Sequence, residues 1–373
     1  MKTDRLKADL RFLLAPAEIE IDGIHPWDIR VYNNQFFERL FSDGTLGAGE
    51  AYVEGWWECA QLDELIARVM KLDIEKKIKA NWKLISDVFI TRLINRQSKS
   101  RAFSNGQYHY DIGNDLFSIM LDKRMTYTCA YWKDAATLDE AQENKLDLTC
   151  RKINLQPGMQ VLDIGCGWGS FAKYAAEKYD VQVTGITISP QQIELGKELC
   201  AGLPVQLKLM DYRDLTGQYD RIVSLGMFEH VGHKNHRRFI EIAHRCLKDD
   251  GLFLLHTIGS DNPSTHNDPW IDKYIFPGSL IPSISQIGKA IEGLFIMEDW
   301  HNFGKDYDKT LRAWYDNFNK GWSQLSQKYD DAFYRMWKYY LLVCAGTFKA
   351  GKNHLWQIVL SKGGVPGGYV SIR

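Results

Sequence analysis

At 373 residues the chain exceeds the usual single domain, so one substantial domain plus a smaller one is expected. Acidic and basic residues nearly cancel to a formal net charge of −1, which removes any global electrostatic case for nucleic acid as a partner. The seven cysteines are scattered, with no CxxC pair, which argues against a zinc knuckle or dithiol redox motif and fits a reducing cytoplasm.

The opening stretch, MKTDRLKADLRFLLAPAEIEID, is too interrupted by charge to be a secretory apolar region, and no run approaches the roughly 20 apolar residues of a bilayer crossing. Before Lys99 the pattern is one of amphipathic helices broken by the glycine-rich turn GTLGAGEAYVEGWWE, which predicts a mostly helical domain over residues 1–98. Its later part sets Lys76, Lys77, Lys79, Lys83, Arg92, Arg96, Lys99 and Arg101 beside Trp82, Ile85, Phe89, Ile90 and Leu93. Such a segment reads either as a basic amphipathic helix lying on an anionic bilayer or as a solvated face packed on its neighbour. Twelve tryptophans exceed what packing alone requires, and aromatic faces also serve lipid interfaces and cations.

From Val161 onward, apolar β-branched runs alternate with helical stretches: VLDIG, VQVTGITIS, VQLKLMD, RIVSLG, GLFLLHTIG, FIMEDWHNFG and HLWQIVLSKG. This predicts an α/β domain over residues 99–373 with a Rossmann-like, mostly parallel sheet. The last two runs form a hairpin interrupted by a helical insertion, so one antiparallel strand is expected in the edge region.

In VLDIGCGWGSFAKYAAEKY a strand ends at Ile164, and Gly165, Gly167 and Gly169 open a helix. Glycines there admit a ligand close to the backbone at the carboxyl end of the first strand. A dinucleotide fingerprint reads GxGxxG/A, whereas the third glycine here comes one place early and Ser170 follows; the phosphate-cradling lysine of a P-loop is also absent. The second strand ends in GITISPQQ, with Thr187 and Gln192 where an acidic ribose ligand is usual. The third ends in MDYRD, placing Asp211 to accept from an adenine amino group and Tyr212 to cover the ring. The D-x-G-x-G-x-G loop looks like the first motif of class I S-adenosylmethionine methyltransferases, a resemblance that directs Asp163 to the amino-acid end of that cofactor.

Around this core lie YHYDIGNDLFSIMLDKRMTYTCAYW, GMFEHVGHKNH, LLHTIGS, DPWIDKYIFPG and MEDWHNFGKDYDKTLRAWY. These segments, with the GWWE turn, resemble the bacterial cyclopropane-fatty-acyl-phospholipid synthases over almost the whole chain. The resemblance implies transfer of a methylene unit from S-adenosylmethionine across the cis double bond of an unsaturated acyl chain in a membrane phospholipid. The alkene attacks the sulfonium methyl, a carbocation forms, and a base removes a proton as the ring closes. It further implies bicarbonate as that base, held by Cys129, Glu229, His256, Ile258 and Tyr307. Cys129 and Ile258 would offer backbone N–H groups, His256 and Tyr307 side-chain donors, and Glu229 would accept the hydroxyl proton.

By the same residue-wise transfer, Tyr127, Thr128 and Arg213 join Gly165, Gly167, Thr187, Gln192, Asp211 and Tyr212 around the cofactor. Thr128 stands where the family often has serine, and FPGSLIPS departs from a more usual glycine and leucine at Ser279 and Ile281. A homodimer, peripherally associated with the inner membrane from the cytoplasmic side, is also implied. Within the same chemistry, a synthase or methyltransferase producing methyl-branched or carrier-protein-bound chains is the alternative, although such relatives lack the N-terminal domain. A nicotinamide oxidoreductase is disfavoured by the glycine spacing. A membrane-binding protein without chemistry would require Glu229, His256 and Tyr307 to coincide by chance. The run His230, His233, His236 lacks a cysteine or second carboxylate at ligand spacing, so no metal site is expected.

Overall fold

The computed structural model describes residues 2–72 and 112–373, and the basic stretch from Lys76 to Arg101 lies outside the described residues. The chain divides into two compact units that do not follow chain order. One comprises residues 1–112, 267–277 and 318–352; the other comprises 113–266, 278–317 and 353–373. The change of hydrophobic pattern at Lys99 predicts a single cut at 98/99, whereas residues 267–277 and 318–352 belong with the N-terminal unit.

Within the first unit, helices Lys2–Leu14, Gln35–Val53 and Leu62–Met70 are joined by a two-residue strand pair, Arg30–Val31 with Trp57–Glu58. The later helix Asp331–Lys349 lies against Leu62–Met70 so closely that a Cβ on Gly346 would stand 2.6 Å from the carbonyl oxygen of Asp63. Only glycine permits that approach. A buried ion cluster holds the helix Pro269–Tyr274 in place: Glu50 accepts from Lys273 Nζ at 2.8 Å, from the Tyr274 hydroxyl at 2.7 Å and from Arg39 at 2.6 Å.

The second unit is built on a seven-stranded sheet. In chain order its strands are β1 Gln160–Ile164, β2 Gln182–Thr187, β3 Val205–Leu209, β4 Tyr219–Leu225, β5 Leu247–Ser260, β6 Ile296–Asn302 and β7 Asn353–Ser361. Their spatial order is β3-β2-β1-β4-β5-β7-β6, parallel from β3 through β5, with β7 antiparallel to both β5 and β6. All seven expected runs are strands, and the antiparallel member sits one place in from the edge. β1, β4 and β5 are largely buried on both faces, which is why their central stretches read as predominantly apolar runs.

On one face, Phe253, Leu255, Trp356 and Ile358 pack with the helices His236–Cys246 and Ile284–Ile291; on the other, Leu252, Leu254 and Val359 pack with Leu138–Lys152 and Ser170–Tyr179. Strand order reverses between β2-β1 and β4, and it is at the carboxyl ends of strands beside such a reversal that open α/β sheets bind ligands. No described helix is long and apolar enough to cross a membrane.

Candidate active site

The glycine loop after β1 takes the conformation its composition allows. Gly165, Gly167 and Gly169 have φ of +87°, +55° and +83°, a region that side chains with a Cβ rarely enter. Two of the three are also packed: a Cβ on Gly165 would stand 2.6 Å from that of Met227, and one on Gly169 would stand 2.9 Å from Cys200 Sγ. Gly167 has nothing within 4 Å of its Cβ direction. Beneath the loop, Asp163 is buried and its Oδ1 has no hydrogen-bond partner among the described residues. Burial pushes its carboxyl up to about 7, opposed by the nearby ammonium of Lys145.

Tyr127, Thr128 and Cys129 lie between the helices Asn114–Met120 and Leu138–Lys152, on a segment held by a buried turn. Asp122 accepts from the amide of Thr126 at 2.8 Å and from that of Arg124 at 3.0 Å. The hydroxyls of Thr126 and Ser170, the first residue of the helix after the glycine loop, meet at 2.5 Å. Gln142 donates to the carbonyl of Thr128 at 2.8 Å, and fully buried Lys145 donates to Thr128 Oγ1 at 2.5 Å. Desolvation brings Lys145 down to about 8, while Asp122 and Asp163 sustain its charge. The ring of Tyr127 contacts Phe117 and Trp314, each at 5.1 Å between centroids.

The remaining expected cofactor residues fall into two pairs. Thr187 Oγ1 donates to Gln192 Oε1 at 2.6 Å, joining the end of β2 to the helix Pro190–Leu199. Asp211 is clamped by Arg213 through two bonds of 2.8 and 2.6 Å, which hold its carboxyl down to about 2. Tyr212 packs edge-on to Phe239 at 5.3 Å.

Four elements contribute the five expected anion-site residues. Cys129, Tyr131, Leu148, Phe303 and Leu355 form one buried cluster, against which Ile258 and Tyr307 pack. His256 joins it through an edge contact with Phe303 at 6.0 Å, and Glu229 joins through the backbone of Ile258. Glu229 stands in the one-turn helix Phe228–His230 that follows β4, and its Oε1 accepts from the Ile258 amide at 2.6 Å. That amide, expected to face an anion, is therefore occupied by the carboxylate. Glu229 Oε2 and His256 Nε2 are both buried with no partner among the described residues.

Burial pushes Glu229 up to about 7 and holds His256 well below the ordinary imidazole value, so His256 is neutral. The thiol of Cys129 is fully buried, donates to its neighbour Ala130 O at 3.2 Å and is pushed well above its usual pKa by burial, so it is not an available nucleophile. Among the described residues no three His, Cys, Asp or Glu side chains gather as metal ligands; His236 instead stacks on Phe228 at 4.3 Å.

Lys145, Gln142, Asp122, Thr149 and Gln357 escaped the reading of the sequence. A signal was present for the first: Leu138, Ala141, Lys145, Leu148 and Lys152 recur at steps of three or four along one helix, all on its buried side, so two lysines occupy an apolar stripe.

The residues at hand suit both expected ligands. An open glycine backbone at Gly167 and the unpartnered buried Asp163 Oδ1 would suit an adenosyl cofactor with a cationic amino-acid end. A buried acceptor and a buried ring nitrogen, both unpartnered, suit a small anion bearing one acidic hydrogen.

Comparison with known proteins agrees with this geometry. Residues 97–358 match the family model described as mycolic acid cyclopropane synthetase. The chain is 52% identical over 351 residues to a cyclopropane-fatty-acyl-phospholipid synthase of Escherichia coli, covering 94% of this chain and 92% of that one. It is 37% identical over 279 residues to cyclopropane mycolic acid synthase 1 of Mycobacterium tuberculosis, covering 70% and 97%. Among solved structures, a mycolic acid cyclopropane synthase complexed with SAH and CTAB matches with a TM-score of 0.64 and 36% identity, over 70% of this chain and 98% of that one.

Proposed function

The chain belongs to the mycolic acid cyclopropane synthetase family, and from that premise we propose that it forms cyclopropane rings on unsaturated acyl chains of membrane phospholipids, using bicarbonate as base. It is an enzyme with the class I methyltransferase fold. The phospholipid substrate is favoured by coverage: the E. coli phospholipid synthase aligns over 94% of this chain, whereas the mycolic acid enzyme aligns over 70%. The part beyond the shorter relatives is thus shared with the enzyme named for phospholipid. Peripheral contact of residues 1–98 with the inner membrane from the cytoplasm, and pairing as a homodimer, belong to the same reading.

S-adenosylmethionine would supply the methyl group, and bicarbonate held at Glu229 and His256 would supply the base toward the proton on the new carbon. Asp163 and Thr128 would hold the amino-acid end of the cofactor, with Gly165 and Gly167 giving it access to the backbone. Thr187, Gln192, Asp211, Tyr212 and Arg213 would surround its adenosine, and Tyr127 would wall the junction with the reaction site.

The observation that carries the anion site is the pair of buried, unpartnered atoms Glu229 Oε2 and His256 Nε2. A buried polar group without a partner costs about 1–3 kcal/mol, and two such atoms beside one aromatic cluster are relieved together by a ligand that donates to one and accepts from the other. Bicarbonate does both. In this reading Ile258 holds Glu229 in place, Tyr307 adds a hydroxyl donor, and the rings of Tyr131, Phe303 and Trp314 keep water from a developing cation.

Purified protein incubated with S-adenosylmethionine and unsaturated phospholipid vesicles, with and without bicarbonate, tests the reading by mass spectrometry of the released fatty acids. The expected product is heavier by one methylene, carries no double bond, and diminishes without bicarbonate. A product retaining a double bond means methyl branching, and turnover only on carrier-bound chains means another substrate class; either would overturn the phospholipid cyclopropane reading. Glu229→Gln is expected to retain cofactor binding and lose most turnover, and full activity in that variant would remove the anion site.

A further inference from the structure

We infer that Gln357 and Thr149 are positioning residues that lock His256 in the tautomer carrying its proton on Nε2, turning that nitrogen into a fixed donor beside Glu229. The inference deepens the proposed anion site and rests on that reading for its functional consequence. The geometry begins on the helix Leu138–Lys152. Thr149 Oγ1 donates its single proton to the carbonyl of Lys145 at 2.8 Å, so toward any other group this hydroxyl can only accept. Gln357 Nε2 lies 3.1 Å from it. The amide group there must be the NH2, which settles the orientation of the glutamine side chain.

The same nitrogen lies 3.4 Å from His256 Nδ1. An amide NH2 has only donors to offer, so Nδ1 accepts. Burial, reinforced by the positive charges of Lys145 and Lys152, keeps the imidazole neutral, and a neutral ring carries one proton. With Nδ1 accepting, that proton resides on Nε2.

The sheet makes this alignment reproducible. His256 on β5 and Gln357 on β7 are directly opposed in the antiparallel ladder, so their side chains share a face, and both are buried, as is Thr149. Gln357 Oε1 has no partner among the described residues, so the side chain satisfies its donors and leaves its acceptor bare, the opposite of what would favour a flipped amide. The other tautomer would present a lone pair at Nε2 to an anion already next to Glu229, a repulsive arrangement.

The test measures tautomer and ligand separately. Protein with 15N-labelled histidine rings is examined by NMR, with His256 assigned by the signals lost in His256→Gln. The native protein is expected to show a protonated Nε2 and a bare Nδ1 without any bicarbonate added. In Gln357→Met, which keeps the shape and removes the donors, a mixture of tautomers should appear. The bicarbonate concentration for half-maximal turnover should rise about tenfold or more, as befits loss of an aligned hydrogen bond to a charged group, while S-adenosylmethionine affinity stays within about twofold.

If Gln357→Met loses cofactor binding as well, and so has failed to fold, Thr149→Val replaces it and should give the same tautomer mixture by freeing the amide to flip. A native Nδ1–H tautomer, or Gln357→Met and Thr149→Val both retaining the native ring pattern and half-saturation, would overturn the inference. Native turnover indifferent to bicarbonate, with the ring pattern still dependent on Gln357, would sink the bicarbonate reading and leave the tautomer lock standing.

Discussion

Replacing Glu229 by glutamine should make the protein more stable in mild alkali while it abolishes most turnover. The native carboxyl is moved by burial from its ordinary 4.5 up to about 7. In acid both folded and unfolded states hold the proton and nothing is lost. As pH rises through 4.5 the unfolded chain releases it while the fold retains it, so the native state is progressively disfavoured until both are ionised above about 7. Integrated, the deficit is about 1 kcal/mol at pH 5 and about 3 kcal/mol at pH 8.

Glutamine is neutral at both values and can keep the 2.6 Å bond from the Ile258 amide, but it places an NH2 where Oε2 has no partner, at a cost of about 1–2 kcal/mol. The net expectation is a variant equal to or slightly less stable than the native protein at pH 5 and about 1–2 kcal/mol more stable at pH 8. Urea unfolding of both proteins at the two pH values reads this as a midpoint difference that grows with pH. A difference that stays constant between pH 5 and 8 would refute the buried carboxyl and, with it, the idea that this site sacrifices stability to keep an acceptor ready for a ligand.

The glycine loop separates packing from ligand access. Gly167→Ala, where a Cβ meets nothing within 4 Å but φ is +55°, should cost about 1–2 kcal/mol of stability and weaken S-adenosylmethionine binding at least tenfold by calorimetry. Gly165→Ala, 2.6 Å from Met227, should instead unfold the loop, costing about 2–3 kcal/mol or more in thermal or urea denaturation. Lys145→Met leaves Asp122 and Asp163 without their buried cation but also removes an ammonium that desolvation holds down to about 8, so the two effects offset and the net loss of stability should be small at pH 5. The loss should be larger at pH 8 than at pH 5, because Asp163, held up at about 7, can protonate at the lower value. Adding Asp163→Asn should restore a substantial part of that stability, and a double variant no better than the single one would show that the two groups do not interact.

The sheet was legible because strands buried on both faces must be predominantly apolar, and VLDIG, RIVSLG and GLFLLHTIG are so, with few polar residues and no competing helical period. The hairpin character of the last two runs was legible too, but not that β7 would insert between β5 and β6, since a long connection carries no record of which edge it returns to. Amphipathic periodicity likewise placed a helical domain at the N-terminus, yet could not assign residues 267–277 and 318–352 to the same compact unit, because an amphipathic helix announces that it has a partner without saying which.

The candidate site divides along a similar line. Glycines with positive φ and acids at strand ends stand out against what the local element prefers, whereas Gln357 in HLWQIVLS and Thr149 in LDLTCRK are ordinary polar residues whose burial only the three-dimensional packing reveals. Lys145 is the instructive middle case. Desolvating an ammonium is so unfavourable that a lysine on an apolar stripe is retained only where anions or lone pairs await it, and this one finds Thr128, Asp122 and Asp163. Lys152, seven residues on, is equally buried and finds His301 Nδ1 at 3.0 Å with Asp299 beyond at 3.9 Å. Polar residues at positions where the helical period demands an apolar one therefore mark the face that covers His256 and Cys129, and that criterion singles out Lys145 and Lys152 from the sequence pattern alone.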